Sequence, residues 1–303
     1  MDTYMRISAY GDKAPEAVAA AEQEITRLDK LLSANAPNSE LAQLQQKRSA
    51  TVSKDMALLL ERSFQLHQQT KGAFDITLLP LSRLWGFPHG PYIIPSEQEQ
   101  QVAHSQTGMD KISWNKETRH CVLNDASLAV DLGGIAKGYA AEQAAAVLRQ
   151  KGCRNALFNL GGNIKAMGTK PDGSLWKISI QHPDDKEAYL GILTITDTSV
   201  VTSGDYERFF IKDGNRYHHI LNPATGLPAN NGLRSVTIVC PDSTMADGLS
   251  TALFVLGPRQ AISYWQQHKQ EFELILYTTA GKLYVTEGLR QTFNSKIPVE
   301  ILR

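Results

Sequence analysis

Two hydrophobic periods alternate along this chain of 303 residues, and no low-complexity linker separates them. Val18, Ala21, Ile25, Leu28 and Leu32 recur at helical spacing within 15–32, which predicts an amphipathic helix. Further helices are predicted from Ser53 to a stop at Gly72, from about Ile135 to Lys151, and over 244–256 and 259–268. Ser96-x-x-Glu99 reads as a capping box opening a short one. Between them lie short apolar or alternating runs that predict strands: 4–10, 110–114, 119–123, 127–132, 155–160, 163–168, 176–180, 190–196, 198–202, 207–211, 235–240, 272–278 and 282–286. The polar stretch after Leu32 and the proline-rich stretch 73–95 read as irregular. No period of 20–50 residues repeats. Strands mixed with helices and many hairpins predict an α+β (mixed α/β) fold, with residues 1–303 forming a single domain and one compact body.

Composition removes several classes of function. The 31 basic and 31 acidic side chains cancel, which argues against general nucleic-acid binding, where a clustered basic surface is needed. An anionic ligand would have to be met by local groups or by a metal. No apolar run approaches the ~18 residues of a membrane-spanning helix. Asp2, Arg6, Asp12 and Lys13 interrupt the first twenty residues, so no export signal is visible there. Cys121, Cys153 and Cys240 are scattered without metal-ligand spacing and are expected to be buried thiols.

Three segments combine residue types that can do chemistry. In Asp131-Leu-Gly-Gly-Ile-Ala-Lys137-Gly138 a glycine turn feeds a helix N-terminus, where backbone N–H groups and the dipole favour an anion. Asp131 and Lys137 stand at the two rims of that turn. Taken alone, a tight strand–helix turn with a solvated lysine explains it equally well. In Ala246-Asp247-Gly-Leu-Ser-Thr251, a carboxylate and a hydroxyl four residues apart share one helix face. Those are hard-oxygen donors of the kind magnesium takes, and an isolated pair of this sort is also a plain dipole and backbone-bonding arrangement. In Tyr217-His218-His219-Ile220-Leu-Asn222-Pro223 the adjacent histidines face opposite sides of a strand, so at most one looks into a given site. A neutral imidazole there could take a proton from a hydroxyl. Thr202-Ser203-Gly204-Asp205-Tyr206 and Leu160-Gly161-Gly162-Asn163 are small-residue turns that allow close approach of a flat or phosphorylated ligand, or simply end hairpins.

Taken in order, Lys71-Gly-Ala-Phe-Asp75 onward, DLGGIAKGYAAE, NLGGNIKAMG, TSGDYERFF, YHHILNPATGLP and ADGLSTALFVLG closely resemble the ApbE family of flavin transferases over nearly the whole chain. The resemblance implies a Mg²⁺-dependent FAD:protein FMN transferase that attaches FMN from FAD to a Thr or Ser hydroxyl of an acceptor protein and releases AMP. It implies Asp247, Thr251 and the backbone carbonyl of Gly134 as magnesium ligands. Asp131, Lys137, Ala73, Phe74, Asp75 and Ile220 are implied as FAD contacts, and His219 as the group activating the acceptor hydroxyl. Met1 matches the methionine of the family's usual Met-Gly-Thr, here Met1-Asp2-Thr3. Asn35 falls where many members carry a tyrosine that stacks on the flavin, and its amide can reach phosphate or metal but stacks poorly.

The competing readings are a Mg²⁺-dependent FAD pyrophosphatase, in which water replaces the acceptor, and a non-catalytic FAD-binding protein. A nicotinamide oxidoreductase is disfavoured because GxGxxG is missing. The expected partner is an acceptor flavoprotein, for example a membrane redox-complex subunit. The resemblance implies a periplasmic or membrane-anchored location with the leader absent from this sequence, with a cytoplasmic form as the alternative.

Overall fold

Seven of the expected strands assemble in one sheet, joined by an eighth at Val299–Leu302 that the sequence did not announce. The computed structural model describes residues 3–303. Its largest sheet contains β1 (Met5–Tyr10), β2 (Asn155–Leu160), β3 (Asn163–Met167), β4 (Ser199–Gly204), β5 (Leu233–Cys240), β6 (Glu273–Thr278), β7 (Leu283–Thr286) and β8 (Val299–Leu302). They lie side by side in chain order. All pairings are antiparallel except β7 with β8, which is parallel.

Both faces of this sheet are covered, and the strand sequences show why. In β6, Leu274 and Leu276 belong to one buried cluster while Ile275 and Tyr277 belong to another. Val201 and Val200 divide the same way in β4. Residues of period two therefore feed two cores. The first lies under helices α1 (Ala14–Leu32), α2 (Glu40–Lys47), α3 (Lys54–Gln69), α6 (Ala136–Gln150) and α7 (Ser243–Gln267), while α4 (Leu79–Leu84) and α5 (Glu97–Ser105) close a third, smaller cluster through Leu81 and Ala103 with Trp85, Phe87 and Leu221. The second is closed by a three-stranded sheet made of Trp176–His182, Asp185–Ile195 and Phe293–Asn294. A helix layer, a central sheet and a small second sheet make the mixed α+β architecture.

The helix boundaries follow local chemistry. Ala17, Ala21, Ile25, Leu28 and Leu32 form the buried stripe of α1. Ser53 and Ser96 cap α3 and α5, and Glu99 completes the reciprocal box at Ser96. In α7 the helical run is interrupted at Gly257, with φ 78° and ψ 171°, one residue before Pro258. Glycine tolerates that φ without the Cβ penalty, so α7 is two helices, as expected, meeting at a kink at Gly257.

Three expectations need correction. Residues 127–132 form no strand: the Val130 N–H is taken by the Gln45 side chain and the Asp131 N–H by the Ile76 carbonyl, leaving no ladder to join. The polar stretch after Leu32 contains the start of α2, capped by Ser39 and buried through only Leu41 and Leu44. The proline-rich stretch holds α4, whose Pro80 sits in the first turn, where a missing N–H costs nothing. The three cysteines are free and buried, as expected. Among the described residues no helix is long and apolar enough to cross a membrane.

Candidate active site

The motif-bearing segments meet at the edge of the helix layer. The turn Asp131–Ile135 leads into α6, whose first turn has no side-chain cap of its own. The cap comes instead from α7: Asp247 Oδ2 accepts the Gly138 N–H at 2.8 Å. The two helices approach closely at that point. A Cβ on Gly138 would strike the Ser243 carbonyl oxygen and lie 2.8 Å from Asp247 Cβ, so glycine is required by space. The other Asp247 oxygen, Oδ1, has Lys137 Nζ at 3.8 Å, and that ammonium donates to the Gly133 carbonyl at 3.1 Å. The lysine thus bridges the glycine turn and the aspartate, which is only 4% exposed.

A buried clamp fixes the α6–α7 spacing from below. Glu142 Oε1 accepts from the Ser243 N–H and from Lys165 Nζ, each at 2.7 Å, and Lys165 also donates to the Pro241 carbonyl at 3.0 Å. Lys165 is 4% exposed and Glu142 26%, so removing the lysine strands a carboxylate that is mostly out of water. Lys165→Met is therefore expected to cost about 3 kcal/mol, measured by denaturant unfolding.

On the far side of Asp247, Thr251 completes the helix face. Its hydroxyl lies 3.2 Å from Ser203 Oγ, which also bonds Ser250 Oγ at 2.8 Å. This hydroxyl chain ties the end of β4 to α7. Beneath the glycine turn, Phe74 is buried, its N–H held by Thr70 Oγ1 and its carbonyl by His67 Nδ1. Asp75 next to it accepts from the Thr77 N–H at 2.7 Å and from the Thr77 hydroxyl at 2.5 Å. Burial raises the Asp75 carboxyl above its ordinary range, and the Thr77 bonds oppose that shift. The Asp131 carboxylate folds back onto the Gly133 N–H at 2.9 Å.

The paired histidines diverge. His218 ends the short strand Asn215–His218 and packs edge-on against Phe254, with ring centroids 5.5 Å apart. Burial lowers its pKa to about 4. His219 turns the other way and lines a cavity of about 790 Å³. Burial, then the charge of Arg208 and, more weakly, those of His218 and Lys137 hold it well below 6.5. Its Nδ1 is buried without a hydrogen-bond partner among the described residues.

Because His218 stays neutral in the fold down to about pH 4 but protonates near 6.5 in the unfolded chain, the unfolded state gains protons first on acidification. Its contribution falls as pH drops below 6.5 and amounts to about 2 kcal/mol lost by pH 5. His218→Gln should flatten the pH dependence of unfolding between pH 7 and 5 by that amount.

The same cavity is lined by Asn35, Ala73, Phe74, Asp75, Asp131, Gly134, Lys137, Ile220, Asp247 and Thr251 as well as His219. Segments more than two hundred residues apart in sequence, from Asn35 to Thr251, thus converge on one concavity of a size that suits a dinucleotide. Met1 lies outside the described residues. Asn35 is exposed at the rim, its N–H bonded to Ser33 Oγ. The motif reading did not single out Arg208 and Gln181, which also line the cavity. Arg208 stands within the quoted TSGDYERFF segment, but what sets it beside His219 is hairpin register, and Gln181 lies outside every motif. Among the described residues no three His, Cys, Asp or Glu side chains form a metal cluster. The oxygens around Asp247 are one carboxylate, hydroxyls and turn carbonyls.

A helix start without a side-chain cap from its own N-cap residue, a buried carboxylate beside it and a polar cleft define a site suited to a large anionic ligand. The sequence profile of the ApbE family matches residues 1–276, and the chain belongs to that family. It is similar to the FAD:protein FMN transferase of Haemophilus influenzae, at 33% identity over 294 residues covering 93% of this chain and 83% of that one. The enzyme of the same name from Escherichia coli K12 is 34% identical over 272 residues, 86% of this chain and 78% of its own. Among solved structures, the flavin transferase ApbE of Vibrio cholerae superposes with a TM-score of 0.85 at 28% identity, covering 96% of both chains. The ApbE protein of Thermotoga maritima gives 0.87 at 30% identity, covering 95% of both.

Proposed function

We propose that this chain is an FAD:protein FMN transferase: it moves FMN from FAD to a Thr or Ser hydroxyl of an acceptor protein and releases AMP. The observation that carries the reading is the Asp247 corner. A carboxylate almost out of solvent spends one oxygen on the Gly138 N–H and points the other toward Lys137, with His219 lining the same cavity. The family membership and the names of the relatives support it.

The donors fit a magnesium ion. Asp247, the Thr251 hydroxyl and the Gly134 carbonyl would hold it, all hard oxygens. Bound there, Mg²⁺ would polarise the attacked phosphoryl group and neutralise charge on the leaving phosphate.

The residues of the chain do the rest. Lys137 and the α6 N-terminus offer positive charge to the diphosphate in a protein whose net charge is zero. Phe74, Ala73 and Ile220 give buried apolar walls to the cleft, and Asp75 and Asp131 offer acceptors. His219, kept neutral, accepts the proton of the acceptor hydroxyl as its oxygen bonds to the FMN phosphorus and the bond to the AMP phosphate breaks. Phosphoryl transfer asks mainly for such positioning and charge balance.

The test is incubation with FAD, Mg²⁺ and a co-expressed acceptor, followed by mass spectrometry. Covalent FMN on the acceptor supports transfer. Free FMN plus AMP with an unmodified acceptor makes the protein a pyrophosphatase, and unchanged FAD makes it a binding protein.

A further inference from the structure

The hairpin that delivers His219 to the cleft delivers a second group with it. Strands Phe209–Lys212 and Asn215–His218 pair antiparallel, with Phe210 opposite Tyr217 and Phe209 opposite His218. One step further the His219 N–H donates to the Arg208 carbonyl at 3.0 Å, so Arg208 stands opposite His219. Residues opposite one another in a ladder project from the same face, and successive pairs alternate. The side chains obey this. Phe210 and Tyr217 stack on one face at 5.2 Å. On the other face the Arg216 guanidinium lies over Phe209 at 3.9 Å, beside buried His218. Arg208 and His219 therefore share the Phe210–Tyr217 side, and both line the cavity.

The neighbouring arginines have carboxylate partners. Arg216 lies 3.9 Å from Asp205, and Arg234 pairs with Asp205 at 2.8 Å and Asp184 at 2.7 Å. Arg208 forms no ion pair among the described residues and is exposed at the cavity wall. Lys137, the other cation of the cleft, is already shared between Asp247 and the Gly133 carbonyl. Arg208 is thus the cation of the cleft that no carboxylate of the described residues has already taken. A guanidinium fork suits phosphate oxygens, which it can grip with two parallel bonds.

We propose that Arg208 is a catalytic residue of the phosphate subsite, binding the anionic oxygens of the FAD diphosphate on the His219 side while Lys137 serves the Asp247 side. In the transfer step the acceptor oxygen bonds to the FMN phosphorus, the bond to the AMP phosphate breaks, the hydroxyl proton goes to His219, and Arg208 holds the charge that develops on the phosphoryl oxygens. The inference rests on the transferase reading above.

The test uses the full chain, with Arg208→Gln and Arg208→Lys, and reads equilibrium affinity for riboflavin, FMN and FAD by flavin fluorescence without any acceptor. Arg208→Gln should weaken FAD and FMN by roughly 10- to 100-fold and leave riboflavin within about twofold, with Arg208→Lys in between. Transfer should then fall in kcat as well as in affinity. Unchanged FAD affinity with lost transfer would overturn the proposal and assign Arg208 to the acceptor. Equal loss for riboflavin would also overturn it, as a general disturbance of the cleft. Failure of the parent reading looks different: the wild-type chain itself would then leave the acceptor unmodified, whatever its affinity for FAD.

Discussion

Replacing Asp247 by alanine is expected to reduce metal-dependent FMN transfer by on the order of 10³-fold or more, in a protein that still folds. Two consequences can be separated because the two carboxylate oxygens have different tasks. Oδ2 caps α6 at the Gly138 N–H, and losing that acceptor leaves a buried donor unpaired, costing about 1–3 kcal/mol. Oδ1, toward Lys137, is the one proposed to meet the cation. Asp247→Asn keeps an acceptor for Gly138 but loses the charge. It should recover most of the stability and none of the magnesium response. Unfolding curves and a Mg²⁺ titration of the transfer rate check both halves, and wild-type-like transfer by either variant would refute the role given to Asp247.

His219→Ala should slow transfer by about 10²- to 10⁴-fold while FAD affinity changes by only a few fold. A general base must be neutral to act, and His219 is held well below 6.5 by burial and by the charge of Arg208. The wild-type rate should therefore stay level as pH falls from 8 through 6.5, and decline only in more acidic solution. A rate that halves near the ordinary imidazole value, or an alanine variant that loses FAD binding and transfer in equal measure, would make His219 a binding group.

How much of this could be read from the chain depended on the range of the interaction. The Ser96–Glu99 capping box is local and stood where its spacing put it. The break at Gly257–Pro258 was visible because both residues restrict the backbone on their own. Asp247 and Thr251 fall on one helix face by periodicity alone, and the strand rule separated His218 from His219. Ordering these motifs against a known family gathered residues from distant segments, and the structure places every described one of them on one cavity wall. What stayed hidden needed a partner far away in sequence. Residues 127–132 looked like a strand until Gln45 and Ile76 took their N–H groups. The α2 helix is too short to show a period, with only two buried leucines. The last strand, Val299–Leu302, exists through parallel pairing to β7. Arg208 acquires meaning only when the hairpin register puts it opposite His219.

The Asp247–Gly138 contact joins residues 109 positions apart, and the cavity gathers walls from the first helix to the last. Contacts of such long sequence separation bear a large loop-closure cost and form late, once most of the chain is ordered. No excised fragment should therefore retain a competent centre, and a nucleotide that binds it recognises the finished fold alone. FAD then acts as a folding ligand, raising the melting temperature with concentration by mass action, and the protein is most vulnerable to proteolysis before its substrate arrives.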